Sequence, residues 1–281
     1  MTAEESSARA FWERRAPAWQ RHLRTIDEHL AIYGRPAIDG LKITEGDRVL
    51  DLGCGPGTTT HELAHQVGPR GRVLGVDVSP AMVSIARHRN AGVANVRFVV
   101  ADVQIDELGH GFDAAYSRFA MMLLPDPAAG LANLRGALRV GGRLAFVTWG
   151  PLRENPWMYV PRLAAAPLLG LKYTLPGPAE PNPYPFSDPD SIHELLTGAG
   201  FVDIAVKTVH GVRRINHDHA DQDLTGLMEE GGALADRWDS TVAPSTRSDC
   251  IQAITEAIQP YHAEDGWHLP GMAYCATAGR H

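Results

Sequence analysis

The run Val49, Leu50, Asp51, Leu52, Gly53, Cys54, Gly55, Pro56, Gly57, Thr58 sets one carboxylate and three glycines between an apolar stretch and a polar, helix-prone one. Glycine tolerates φ > 0 and lets a ligand approach the main chain, so this turn can cradle part of a nucleotide-like molecule. A dinucleotide fingerprint would carry another Gly or Ala after two spacers, where Thr58 stands, and the Lys-Ser/Thr pair of a phosphate loop is missing. Asp51, just upstream, would repel a diphosphate and suits a ligand that bears positive charge. Asp77 closes the apolar run Val73, Leu74, Gly75, Val76 about 20 residues later, where a carboxylate can accept both ribose hydroxyls. Asp102 follows Val99, Val100, Ala101, where a carboxylate can accept from an adenine amino group. The three acidic positions together describe an unphosphorylated, cationic adenine nucleoside.

These residues need a scaffold that brings successive strand ends to one edge. Short apolar runs at 48–53, 72–77, 95–100, 112–117 and 143–149 alternate with helical stretches at 58–67, 80–90 and 127–140. Strands this apolar, separated by helices, predict a doubly wound α/β fold with a mostly parallel sheet covered on both faces. Ahead of them, Phe11, Trp12, Trp19, Leu23, Ile26 and Leu30 recur at helical spacing over residues 6–31, with Pro17 as the expected kink. Ten of the 20 prolines fall in residues 151–190, which argues against sheet there and for an insert with short helical pieces around 157–171. A helix at 191–199, a strand at 201–210, helical pieces over 219–261 and a last strand at 267–277 complete the chain. The organisation expected is an N-terminal helical cap (1–44), a ligand-binding α/β core (45–150), a proline-rich lid (151–190) and a C-terminal completion of the core with a helical insert (191–281).

Bulk properties narrow the function. A formal net charge of -7 offers no overall field for nucleic acid or an anionic membrane. Three cysteines make no disulfide framework and no zinc pair, and no metal site is expected. No apolar run reaches the ~18 residues a bilayer span needs, and residues 1–15 are polar where a secretory signal would be apolar. A cytoplasmic protein acting on a small molecule is the expectation; nothing in the sequence sets an oligomeric state.

The ordered set Asp51 to Gly57, Asp77 with Val78, Ser79, Pro80, Ala81 and Met82, Ala101, Asp102 and Val103, Phe112 and Asp113, and Leu138 to Leu144 resembles the class I S-adenosylmethionine (SAM)-dependent methyltransferases. The branch that includes the ubiquinone- and menaquinone-biosynthesis enzymes is the most similar. The resemblance covers about residues 45–150, and more weakly the turn at Ala199, Gly200 and Phe201. It implies SAM as cofactor and a seven-stranded sheet whose last strand is antiparallel and inserts between the fifth and sixth. It also implies that Gly53, Cys54 and Gly55 line the methionine part, with Asp51 near its amino group. Asp77 would hold the ribose, Val78 and Met82 would flank the adenine, and Asp102 would take its amino group beside Val103. Ser117 would offer its carbonyl to the methionine ammonium, with Arg118 and Phe119 facing the pocket. Strand-five ends and N-terminal helices border the acceptor site in this family, so the resemblance implies Trp149 and Trp19 as pocket residues, with Trp157 following as a lid residue.

Plainer roles compete with each of these. The glycines could make a tight turn and nothing more, Asp51 could be a turn partner, and Asp102 a solvated strand end. Cys54 is a small packing residue rather than a nucleophile. Among the aromatics Trp12, Trp19, Trp149, Trp157 and Tyr184, core packing accounts for at least half. His217, Asp218 and His219 mimic a metal pair but read as a solvated loop. If the acceptor is a hydroxyl it needs a base; His22, His210 and His217 are the candidates by position, and none stands out. The expected activity is methyl transfer to a small apolar or aromatic acceptor, natural-product or quinone-like. The alternative is a non-methylating enzyme of this fold, such as a cyclase, that retains SAM.

Overall fold

A computed structural model describes residues 3–175, 186, 188–230, 234–238 and 242–281. Two helices, α1 (Ala3–Arg21) and α2 (Leu23–Leu41), precede the sheet. The core then alternates β1 (Arg48–Leu52), α3 (Thr58–Val67), β2 (Arg72–Asp77), α4 (Pro80–Arg89), β3 (Val96–Val100), β4 (Phe112–Arg118), α5 (Pro127–Ala137) and β5 (Leu138–Trp149). After it come α6 (Pro156–Ala165), α7 (Pro189–Gly198), β6 (Val202–Asn216), α8 (Ala220–Glu229), α9 (Pro244–Ala257), β7 (His262–Ala263) and β8 (Gly266–Gly279).

The strand order is β3-β2-β1-β4-β5-β8-β6, with the two-residue β7 paired to β8. β1 to β5 pair parallel with their neighbours, and β8 lies antiparallel between β5 and β6. This is the expected doubly wound α/β sheet with the expected late insertion. The stub β7 makes the strand count eight rather than seven. Because β1 has β2 on one side and β4 on the other, the connections leaving β1 and β4 diverge, and a crevice opens above the carboxyl ends of the strands.

The elements form for local reasons. β1 is buried along Val49 to Leu52, as a strand covered on both faces must be. Ser79 caps α4, accepting from Met82 N at 3.2 Å, with Pro80 in the first turn. Asp126 caps α5 in the same way. α2 buries Ile26, His29, Leu30, Tyr33, Gly34, Ala37, Ile38 and Leu41, one stripe at helical spacing. Gly34 is required there, since a Cβ would meet Tyr116 Oη at 2.7 Å and Arg118 Cδ at 2.9 Å.

Three boundaries differ from expectation. α1 runs through Pro17, and the helical run breaks at His22 instead, where the imidazole bonds Glu229 at 2.9 Å. α5 stops at Ala137, because Leu138 already pairs with Phe112 and the strand bulges before Arg143 joins Ala114. β6 runs six residues beyond 210, because β8 offers it partners as far as Gly266. No helix among the described residues is long and apolar enough to cross a membrane.

A candidate cofactor crevice joined to an aromatic chamber

β1 delivers the glycine turn to the crevice with Gly53, Gly55 and Gly57 at φ of 65°, 51° and 82°. A Cβ on Gly53 would meet Ala120 Cβ at 2.1 Å, so that side of the turn is packed against the segment after β4. A Cβ on Gly55 would meet nothing within 4 Å, so that side is open. Cys54 N donates to Val76 O at 3.0 Å and ties the turn to β2. Burial pushes the Cys54 thiol well above its ordinary range, which suits a packing residue.

Asp77 faces the turn from the end of β2. One of its oxygens accepts from Gly55 N and the other from Ser79 N, both at 2.9 Å. A carboxylate has about four lone-pair sites, so roughly two remain for a ligand. Asp51 lies beneath the turn, 1% exposed, and accepts from Thr60 Oγ1 at 2.6 Å; it is not part of the cavity wall. Burial raises both carboxyls to about 6. The Thr60 hydroxyl and Arg118 restrain the rise at Asp51; the Ser79 and Gly55 amides restrain it at Asp77, where Glu13 pushes the other way.

Val78, Met82, Asp102 and Val103 line the next stretch of wall. Asp102 is buried and already accepts from Gln104 N at 2.9 Å and Gln104 Nε2 at 3.0 Å. Ser117 is fully buried, its hydroxyl donating to Leu52 O at 3.1 Å, and is not part of the wall. Arg118 is on the wall and pairs with Asp27 at 2.8 Å, while the other Asp27 oxygen accepts from Thr58 Oγ1 at 2.5 Å.

The same cavity, about 660 Å³, continues under the N-terminal helices into a chamber walled by Phe11, Trp12, Trp19, Phe119, Met121, Met122, Trp149, Trp157 and Met158. That volume is within the range of about 300–1,000 Å³ typical of small-molecule sites. Phe119 sits at φ 59°, a left-handed conformation that costs a non-glycine residue roughly 1–2 kcal/mol. Its ring stacks on Trp149 with centroids 3.8 Å apart and planes at 14°. Tyr33 and Trp157 stand edge-on to Trp149 at 5.0 and 5.1 Å, so the stack is buttressed on two sides. Glu230 also lines the cavity, bound by the buried Arg213 at 2.5 Å, while Trp19 Nε1 donates to Glu230 O at 2.9 Å.

Among the described residues no histidine lines this cavity. His22 is bound to Glu229 between α1 and α8, and His210 and His217 are exposed along or just beyond β6. Position therefore removes all three as candidates for a base in the chamber. The histidine that does lie near, His29, is buried behind Trp149 and Trp157, and burial together with Arg213 holds its pKa well below the usual imidazole range. Tyr184 lies outside the described residues.

Sequence reasoning missed Asp27, Glu13 and Glu230. Asp27 had a local signal, since it adjoins the buried stripe of α2 between Ile26 and Leu30. Glu13 had none: its Oε1 accepts from Ser79 Oγ at 2.8 Å and Ala81 N at 2.9 Å, contacts that span more than 60 positions of sequence. They clip α1 over the start of α4, beside Asp77.

A fold with this strand order and a glycine turn at the switch point is the Rossmann-like methyltransferase architecture. A family model described as a methyltransferase domain matches residues 43–166. A trans-aconitate 2-methyltransferase from Methylobacterium nodulans is 32% identical over 183 residues, covering 64% of this chain and 67% of the relative. An aklanonic acid methyltransferase from a Streptomyces species is 34% identical over 118 residues, 41% of this chain and 54% of the relative. Among solved structures, the (4+2)-cyclase SpnF superposes with a TM-score of 0.50 at 19% identity, covering 88% of this chain and 80% of that one; at this identity the likeness is one of fold. The chain spans between 33% and 54% of the length of three of the curated relatives it matches. The chain belongs to the SAM-dependent methyltransferases, whose cofactor is S-adenosylmethionine.

The crevice fits that cofactor. Gly55 opens a side that a Cβ would obstruct, and Asp77 keeps lone pairs free for a diol. Against the carboxylates Asp27, Asp77, Asp102 and Glu230, the wall offers Arg118, already paired to Asp27, and Arg162, whose guanidinium donates to Met158 O. Such a wall repels a diphosphate and tolerates a sulfonium.

Proposed function

We propose that the chain transfers a methyl group from SAM to a small, apolar or aromatic acceptor. The observation that carries the reading is continuity: one cavity runs from the glycine turn and Asp77 to the Trp149–Phe119 stack. When bound, the cofactor supplies an electrophilic methyl group on a sulfonium. Gly53, Cys54 and Gly55 would hold its amino-acid end through main-chain atoms, with Arg118 and Asp27 alongside and Asp51 acting from beneath the turn. Asp77 would hold the ribose; Val78, Met82, Asp102 and Val103 would enclose the adenine.

The chain's own contribution to rate is placement. Holding two reactants in line can supply about 7–11 kcal/mol of the barrier, and the rigid Trp149–Phe119 stack is a surface against which a flat acceptor can be placed. With no histidine on the described wall, the reading favours acceptors that need little help with a proton: a neutral amine or an activated aromatic carbon. The wall's ionic groups are drawn into internal pairs such as Asp27–Arg118 and Glu230–Arg213, which argues against a polyanionic acceptor and against nucleic acid. Trp157, Met158 and Tyr173 on the wall support a lid role for residues 151–175 of the proline-rich insert; residues 176–185 and 187 of it lie outside the described residues.

Calorimetry with SAM and with NAD, followed by transfer of labelled methyl into a panel of aromatic amines, hydroxyquinones and aromatic acids, tests the proposal. Tight SAM binding and label in product are expected; stronger binding of NAD would sink it. The fold shared with a cyclase supports a second reading, in which SAM is retained without transfer. Conversion of an acceptor in the presence of SAM, with no label incorporated, would favour that reading.

A further inference from the structure

The outer surface of α3 carries a histidine pair that the crevice does not use. His61 and His65 are one helical turn apart, so their imidazoles leave the same face. Both are exposed, and their Nε2 atoms lie 3.1 Å from each other. A tetrahedral ion held at about 2.0–2.1 Å by each nitrogen needs a separation of about 3.3 Å, so the two rings already present nearly the right bite.

The contacts behind the pair fix which nitrogen is free. Asn90 Nδ2 donates to Ala86 O at 2.9 Å and, at a longer 3.5 Å, to Gly57 O. Asn90 Oδ1 therefore faces His61, whose Nδ1 lies 2.9 Å away and must carry the donated proton. That leaves a lone pair on His61 Nε2, toward which His65 Nε2–H donates. An imidazole that gives its second N–H to an oxygen while its other nitrogen is free is the arrangement metal-ligating histidines adopt.

We propose that His61 and His65 form a two-imidazole site for a divalent transition ion of the zinc, nickel or copper kind, the class that nitrogen ligands of this type suit. Each Nε2 lone pair bonds the ion. The proton on His65 Nε2 passes through solvent to its Nδ1, so both rings stay neutral and no net proton is released. Among the described residues no cluster of three or more His, Cys, Asp or Glu side chains offers further ligands, so water completes the coordination. The site backs onto the cofactor turn, because the Asn90 amide that orients His61 is packed where a Cβ on Gly57 would come within 2.8 Å.

The test is a titration of the full chain with zinc chloride, followed by calorimetry, for wild type, His61→Ala, His65→Ala and His217→Ala. One tightest-binding ion per chain is expected, weakened at least tenfold in His61→Ala and in His65→Ala and unchanged in His217→Ala. Nitrogen-15 spectra of labelled histidines, recorded without metal, should show His61 as the Nδ1–H tautomer. Wild-type affinity in His65→Ala, no zinc binding by wild type, or a His61 proton on Nε2 would each overturn the proposal.

Discussion

The crevice above β1, β2 and β3 and the chamber beneath α1 and α2 share one cavity but are held by different forces. The crevice is made of strand ends: its shape comes from left-handed glycines, and its polarity from carboxylates, of which Asp77 is held by the backbone amides of Gly55 and Ser79. The chamber is made of rings brought from α1, α2, β5, α6 and the segment after β4, and stacking and burial hold it. A site built of main chain admits little variation without losing its ligand. A site built of side chains can be re-cut by substitution while the crevice stays as it is. One cofactor and many acceptors is the outcome this division predicts.

The sharpest way to break the division is Trp149→Ala. Removing a buried tryptophan should cost about 3–5 kcal/mol of stability, and with it methyl transfer, while SAM affinity measured by calorimetry on the surviving folded protein stays within about threefold; Trp149→Phe serves if the alanine variant unfolds. A parallel collapse of SAM affinity would show the halves to be one unit. Next in size, Asp77→Ala should weaken SAM by about 100-fold or more, given that a hydrogen bond to a charged group contributes roughly 1.5–3 kcal/mol and a ribose supplies two. Gly55→Val should act similarly through φ and the lost opening. Since Asp77 titrates near 6, SAM affinity of the wild type should fall as pH drops below about 6, and that of Asp77→Asn should not follow.

Asp51 sharpens the comparison through stability. Its folded-state pKa of about 6 is above the unfolded value of about 3.9, so the folded state resists ionisation. This contribution to stability is fully present below about pH 4 and is lost as pH rises through 6. Asp51→Asn should therefore match wild type near pH 4 and exceed it by about 1–3 kcal/mol at pH 8 in denaturant melts, at the expense of SAM affinity. Equal stability at pH 8 would mean the carboxylate is better solvated than its burial implies. Smallest of all, Glu13→Ala, which removes the acceptor that holds Ser79 Oγ and Ala81 N, should remove about 1 kcal/mol of helix capping at α4 and speed SAM release a few-fold in stopped-flow, with acceptor preference unchanged.

The same division governed what could be read from the sequence. Asp51, Gly53, Gly55, Asp77 and Asp102 each sit where an apolar strand is punctuated, and that local pattern was enough to place them at one edge of the sheet. The insertion of β8 came from family resemblance, because nothing local to residues 266–279 says which strands they join. The chamber was legible as a supply of tryptophans but not as an arrangement. Phe119 against Trp149, Glu13 on Ser79 and Asp27 between Thr58 and Arg118 all depend on how α1 and α2 lie across the sheet. The break at His22 likewise answers to Glu229, more than 200 residues away in the chain. Pro17, the obvious local breaker, is carried within α1.

The placement of β8 also constrains how the molecule can be made. Residues 266–279 fill the gap between β5 and β6 and pair with both. Until residues 266–279 have emerged from the ribosome, β5 has one raw edge and β6 has no strand neighbour at all, and α2, which packs on β5, β6 and β8, waits for a surface that is incomplete. Closing the sheet is then a late event that joins distant parts of the polypeptide, and contacts of that kind form slowly and leave unpaired edges open to self-association. Chains arrested at residue 265 should remain bound by chaperones or aggregate, whereas emergence of residues 266–279 should let the whole sheet close in one step.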